Sequence, residues 1–137
     1  MQIADLYIRV STDEQADKGY SQRDQEERLR NIVSLKNIRI DRIIFEDHSA
    51  KTFERPEWQK YMDSFRRGKS GKETRLLLFT KWDRFSRNIS EADQMISKLT
   101  KLNISPQAIE QPLDLRVPEN KLLLAIYLLT PEVENDR

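Results

Sequence analysis

Four short apolar or β-branched runs punctuate the chain, and each gives way to a polar break. Ile3 to Val10 is the first, and it ends at Ser11 and a polar loop reaching Gly19. Ile40, Ile43, Ile44 and Phe45 form the second, which breaks at Glu46-Asp47-His48-Ser49-Ala50. The third, Arg75 to Thr80, contains Leu76-Leu77-Leu78-Phe79, a continuous apolar stretch of the kind that fits a central strand covered on both faces. Ile104 to Ile109 is the fourth, and the early Pro106 places it near a sheet edge.

Helical spacing fills the intervals. Ser21 and Asp24 mark a helix start, continued by Leu29, Ile32 and Val33. Pro56 suits the first position of a helix, where its missing N–H removes no bond, and Trp58, Tyr61, Met62 and Phe65 then share one apolar face. Gly68-Lys69-Ser70-Gly71-Lys72 reads as a basic turn. It follows a helix and precedes a strand, the reverse of the order that a phosphate-cradling loop requires. Ile89, Ala92, Ile96 and Leu99 repeat at helical spacing behind Asn88 or Ser90 as a cap. Pro118 opens a last helix that is apolar without a break from Leu122 to Leu129, so part of its burial is expected to come from a partner subunit. Pro131 should kink or end it. The pattern predicts an α/β fold: a mostly parallel central sheet flanked by helices, ending in an apolar C-terminal helix.

Composition narrows the chemistry. At 137 residues the chain is expected to be one domain, residues 1–137, cut before a further region because Glu132 to Arg137 stops in mid-pattern. The 24 basic and 23 acidic side chains leave a net charge of only +1, so contacts to nucleic acid would have to come from local clusters and not from an overall field. The absence of cysteine excludes disulfides and thiolate chemistry, and the single His48 excludes a multi-histidine metal centre. No apolar run is long enough to span a bilayer and no signal-peptide pattern opens the chain, so an intracellular protein is expected.

In a parallel sheet with right-handed crossovers, the breaks after the first three strands fall along one edge, where ligands collect. They carry Arg9 and Ser11; Asp47 and Arg55; and Asp83, Arg84 and Arg87. A hydroxyl beside guanidinium groups fits a nucleophile aimed at a phosphate, since forked donors match the charged equatorial oxygens of the transition state. Arg84 and Arg87, three apart, are expected on one helical turn. Each residue also has a plainer use: Ser11 as a cap, the arginines as solvated or ion-paired surface groups, Asp47 and Asp83 as loop braces, Gln25 as helix surface. Two other classes compete on residue types alone. One is a magnesium-dependent phosphotransferase or nuclease using Asp13, Asp47 and Asp83; the other is a non-catalytic dimerisation or nucleotide-binding module. The first loop has a glycine only at its far end, which does not make a dinucleotide fingerprint.

Three separated blocks, Tyr7-x-Arg9-Val10-Ser11-Thr12, then Asp47-x-Ser49 with Arg55, then Lys81-x-Asp83-Arg84-x-x-Arg87, resemble the catalytic domain of serine site-specific recombinases, the resolvase and invertase family. The spacing, with Gln25 in the first helix, looks most like the large serine recombinases of bacterial mobile elements. The resemblance implies that Ser11 attacks a DNA phosphate to give a 5′-phosphoserine link and a free 3′-hydroxyl. It implies that Arg9, Arg84 and Arg87 bind that phosphate, that Arg55 assists, and that Asp83 orients an arginine or takes part in proton transfer. Tyr7, Gln25 and Asp47 match supporting positions. It further implies double-stranded DNA as substrate, no metal or cofactor, no small-molecule substrate, no membrane, a homodimer on each site, a tetramer at synapsis, and a cytoplasmic location in a bacterial cell, encoded by a mobile element or phage. The resemblance also implies that the final helix begins a long C-terminal interface helix between subunits, with one departure: the family commonly has a Glu-Arg pair near this point, whereas Glu134 is followed by Asn135, with Arg137 beyond.

Overall fold

A computed structural model describes residues 2–10, 22–47, 53–65 and 74–129. Four strands, β1 (Ile3–Arg9), β2 (Arg39–Glu46), β3 (Arg75–Phe79) and β4 (Ile104–Ala108), form an all-parallel sheet in the order β2-β1-β3-β4. The connecting helices are α1 (Gln22–Leu35), α2 (Pro56–Asp63), the single turn α3 (Trp82–Phe85) and α4 (Ile89–Lys101), and α5 (Asn120–Leu129) follows β4. The expected parallel α/β sheet, its central third strand and its edge fourth strand are all present.

β1 runs through the middle and is buried along nearly its whole length, so both faces must be covered. Ala4, Leu6 and Ile8 point to one side and join Leu29 and Val33 of α1 and Leu76 and Leu78 of β3. Tyr7 points to the other, into an aromatic core with Phe53, Trp58, Phe79, Trp82 and Phe85. Alternation along the strand therefore assigns Asp5, Tyr7 and Arg9 to the aromatic side.

Two turns that feed strands rely on asparagine where glycine is scarce. Asn37 (φ 56°) and Asn103 (φ 63°) adopt the left-handed region just after α1 and α4. At the first, the Ile38 amide reaches back to the Val33 carbonyl at 2.9 Å, closing the helix and launching β2. On the free edge, Asn103 accepts from the Arg75 amide and the Ile109 amide donates to Phe79, so odd-numbered β4 groups turn inward. Pro106 belongs to the outward set, and its missing N–H interrupts an otherwise open edge.

Asp5 is fully buried in the sheet, accepting from the Tyr61 hydroxyl (2.7 Å) and from Arg75 Nη1 (2.8 Å), which also holds Asp41 (2.7 Å). Burial pushes the Asp5 carboxyl above the usual range, outweighing the lowering by Tyr61 and Arg75. A carboxyl raised in the folded state stabilises the fold below its unfolded value and loses that contribution as pH rises through the folded one. Asp5→Asn, which cannot ionise, should therefore gain stability relative to wild type as pH rises above the ordinary carboxylate value of about 4. Urea midpoints measured near that value and at neutral pH check it; a difference independent of pH would refute the assignment.

The last helix starts at Asn120 and not at Pro118, because the Asn120, Lys121 and Leu122 amides bond three residues back and tighten the entry into turns. Its unbroken apolar stretch is buried on one side only. Leu124 and Leu128 enter the core, whereas Leu122 (69%), Leu123, Ile126 and Leu129 (63%) stay exposed. No helix among the described residues is long and apolar enough to cross a membrane.

Candidate active site

The carboxyl ends of β1, β2 and β3 are drawn together by buried polar side chains. Arg9, Arg55 and Arg84 are each only 1% exposed, as are Gln25 and Glu46, while Asp83 is 3% exposed. Burying five donors of a guanidinium requires acceptors, and the backbone supplies them. Arg9 donates from Nε to the Arg84 carbonyl and from Nη2 to the Asp83 carbonyl, both at 3.0 Å. Arg55 donates from Nη2 to the Phe85 carbonyl at 2.8 Å. These carbonyls belong to the one-turn α3, whose last oxygens have no helical partners, so two guanidinium groups from elsewhere complete its end.

The end of β1 is held in return. Its Arg9 carbonyl accepts from Arg84 Nη1 (3.3 Å) and from Gln25 Nε2 (3.1 Å), and the Val10 amide donates to the Glu46 carbonyl (2.9 Å). Arg84 Nε lies 3.5 Å from Asp83 Oδ1. Gln25 is thus beneath the site and not on the helix surface.

A second chain of bonds starts on β2. Glu46 Oε1 accepts from the Trp58 amide (2.8 Å) and the Tyr7 hydroxyl (3.1 Å), while Oε2 accepts from the Glu57 amide (3.0 Å). The same Tyr7 oxygen accepts from Arg55 Nη1 at 3.0 Å. Burial pushes the Tyr7 hydroxyl well above its ordinary value, even against the pull of Arg55, so it remains a neutral donor and acceptor. Arg55 also stacks over Phe53, with its guanidinium carbon 4.4 Å from the ring centroid.

α3 is braced from both sides. Gln111 accepts the Trp82 amide on its side-chain oxygen (2.8 Å) and the indole N–H on its carbonyl (3.1 Å). After Phe85 the backbone straightens at Ser86 (φ −163°), and Asn88 caps α4 by accepting the Glu91 amide at 3.0 Å. Arg84 and Arg87 therefore do not share a helical turn: the helix ends between them, leaving Arg84 buried and Arg87 exposed. Asp47 follows β2 and is exposed.

Of the expected site residues, the structure brings together Tyr7, Arg9, Gln25, Arg55, Asp83 and Arg84. Ser11, Thr12, Asp13, His48, Ser49 and Arg137 lie outside the described residues. Among the described residues no group of three or more acidic or histidine side chains is placed to share a metal ion. Two contributors were not singled out in the sequence. Glu46 stood inside a polar break that drew attention to Asp47, and Gln111 stood in a loop; a carboxylate ending a strand ahead of a proline-opened helix was the available signal for the first.

Fold and site together define a class: an all-parallel α/β domain whose sheet gathers buried guanidinium groups at the carboxyl end of its strands. Among solved structures, the N-terminal catalytic domain of TP901-1 integrase superposes with a TM-score of 0.73 at 23% identity, covering 98% of both chains. A resolvase family site-specific recombinase from Streptococcus pneumoniae gives 0.68 at 20% identity, covering 99% of this chain and 89% of that one. The C-terminal catalytic domain of ISC1926 TnpA, an IS607-like serine recombinase, gives 0.64 at 21%, covering 90% and 78%. At these identities the likeness establishes the fold. No curated protein matches the chain in sequence. Residues 4–137 match the family model for the resolvase N-terminal domain. The chain belongs to that family, the catalytic domain of serine site-specific recombinases, enzymes that cleave and rejoin DNA.

Proposed function

We propose that Ser11 is the nucleophile of this recombinase domain and that Arg9, Arg84 and Arg87, assisted by Arg55, hold the DNA phosphate it attacks. The observation that carries this reading is the convergence of three buried arginines on the end of β1, two residues before Ser11. Carbonyl anchors fix the orientation of each fork, and a guanidinium has enough donors to be anchored and to meet a phosphate as well. Preorganised positive charge of this kind stabilises an oxyanionic transition state without reorganising during the reaction.

In the step itself, the Ser11 oxygen forms a bond to phosphorus and the bond from phosphorus to the 3′-oxygen breaks. The serine proton is lost and the leaving oxygen gains one, so a phosphoserine ester on the 5′ side and a free 3′-hydroxyl result. The ester retains the energy of the broken linkage, and attack by a 3′-hydroxyl reverses it. Asp83, beside Arg84, orients that guanidinium, while Gln25 supports β1 and Tyr7 supports Arg55; Asp47 has an exposed place at the rim. The bare apolar side of α5 packs against a second copy, giving a dimer on each site and a tetramer at synapsis. The domain works in the cytoplasm.

Full-length protein incubated with fragmented genomic DNA of its host, in the presence of a chelator, tests the reading. Protein-linked 5′ ends and free 3′-hydroxyls at discrete sequences are expected, and the chelator should make no difference. Cleavage without a covalent link, or cleavage abolished by chelation, would sink it.

A further inference from the structure

Glu46 carries out three tasks from one buried position at the end of β2. Its backbone carbonyl takes the Val10 amide, closing the ladder immediately before Ser11. Its carboxylate takes the Glu57 and Trp58 amides, the second and third residues of α2, whose N-cap is Arg55. No side-chain bond is made by that N-cap residue to its own helix, so Glu46 supplies from another element the acceptor that a capping side chain normally provides. The same carboxylate oxygen that accepts Trp58 also accepts the Tyr7 hydroxyl, which in turn receives Arg55 Nη1.

Arg55 is consequently held at both ends by a single carboxylate. Its backbone is set through the first turn of α2, and its guanidinium is set through Tyr7. A carboxylate serving only as a helix cap would need no tie to Tyr7, whose hydroxyl joins it to the Arg55 guanidinium. We infer that Glu46 is a positioning residue for the cleavage reaction, fixing Arg55 against the reacting phosphate through Tyr7 and α2. This rests on the reading of Arg55 as a phosphate-directed group.

Glutamine has nearly the same shape, but its NH2 would face a donor among Glu57 N–H, Trp58 N–H and the Tyr7 hydroxyl. Full-length Glu46→Gln, Tyr7→Phe and the double variant would be compared with wild type on DNA carrying a mapped cleavage site, with single-turnover cleavage, DNA affinity and thermal melting measured separately. Glu46→Gln should slow cleavage on the order of 10²-fold, as expected for a misplaced reacting group, with DNA affinity unchanged. Because part of the path passes through Tyr7, the loss in the double variant should be smaller than the product of the two single losses. A wild-type cleavage rate in Glu46→Gln, or losses that multiply fully, would overturn the inference. Tyr7→Phe leaves both amide bonds of Glu46 in place, so if Glu46→Gln does not fold, a wild-type rate in Tyr7→Phe alone overturns it. A serine-linked adduct formed by the wild type in the same assay separates this result from failure of the functional reading itself.

Discussion

Replacing Ser11 with alanine is expected to eliminate the protein–DNA adduct and to lower strand cleavage roughly 10⁶-fold, in practice to the assay background. On the proposed assignment the substitution deletes the atom that forms the phosphate ester, and an arginine cannot substitute for it because a guanidinium remains protonated and is not a nucleophile. The arginine network at the end of β1 is anchored on main-chain atoms of Arg9, Val10, Asp83, Arg84 and Phe85, which a side-chain change at position 11 does not remove. Melting temperature and DNA affinity should thus stay at wild-type values. Adduct at the wild-type level in Ser11→Ala would remove the assignment outright, whatever the DNA affinity.

Arg84→Lys should be the next most damaging change, slowing single-turnover cleavage by about 10²- to 10³-fold. Lysine keeps the charge but loses the planar fork, and with it the ability to hold the Arg9 carbonyl and a phosphate in one fixed orientation. At 1% exposure an ammonium there would also be poorly solvated, so a modest fall in melting temperature should accompany the kinetic loss. Rate measurements well below that melting temperature separate the two effects. A lysine variant that cleaves within about threefold of wild type would mean that simple charge at this position suffices, contrary to the fork geometry argued from the structure.

Periodicity made the sheet legible because its signal is local: an apolar run covered on both faces looks the same wherever its partners come from. β3 and the edge placement of β4, marked by Pro106, followed from that alone. The gathering of Arg9, Arg55 and Arg84 was legible too, since parallel topology sends three breaks to one edge. What could not be read was the set of acceptors. Arg9 and Arg55 bond to carbonyls of α3, and a carbonyl is identical in every residue, so no side-chain pattern marks it. The helix break that parts Arg84 from Arg87 depends on Ser86 extending its backbone, a tertiary choice that overrides three-residue spacing. Gln25 was ambiguous for a related reason: its partner is the Arg9 carbonyl, sixteen positions away. Glu46 was hidden because its donors are two amides and a hydroxyl from different elements, a coincidence visible only after folding. The apolar run of α5 marked a helix but not which of its residues would meet the core: Leu124 and Leu128 do, while Leu122 and Leu129 stay exposed.

The dependence of Arg9 and Arg55 on main-chain oxygens has an evolutionary consequence. What these arginines require of residues 83 to 85 is the path of the chain, not the identity of the side chains. Substitutions at Asp83 or Phe85 that preserve the single helical turn leave both anchors in place, so selection on those two side chains comes from the contact of Asp83 with Arg84 and the aromatic packing of Phe85, while the grip on the two guanidinium groups is inherited with the backbone.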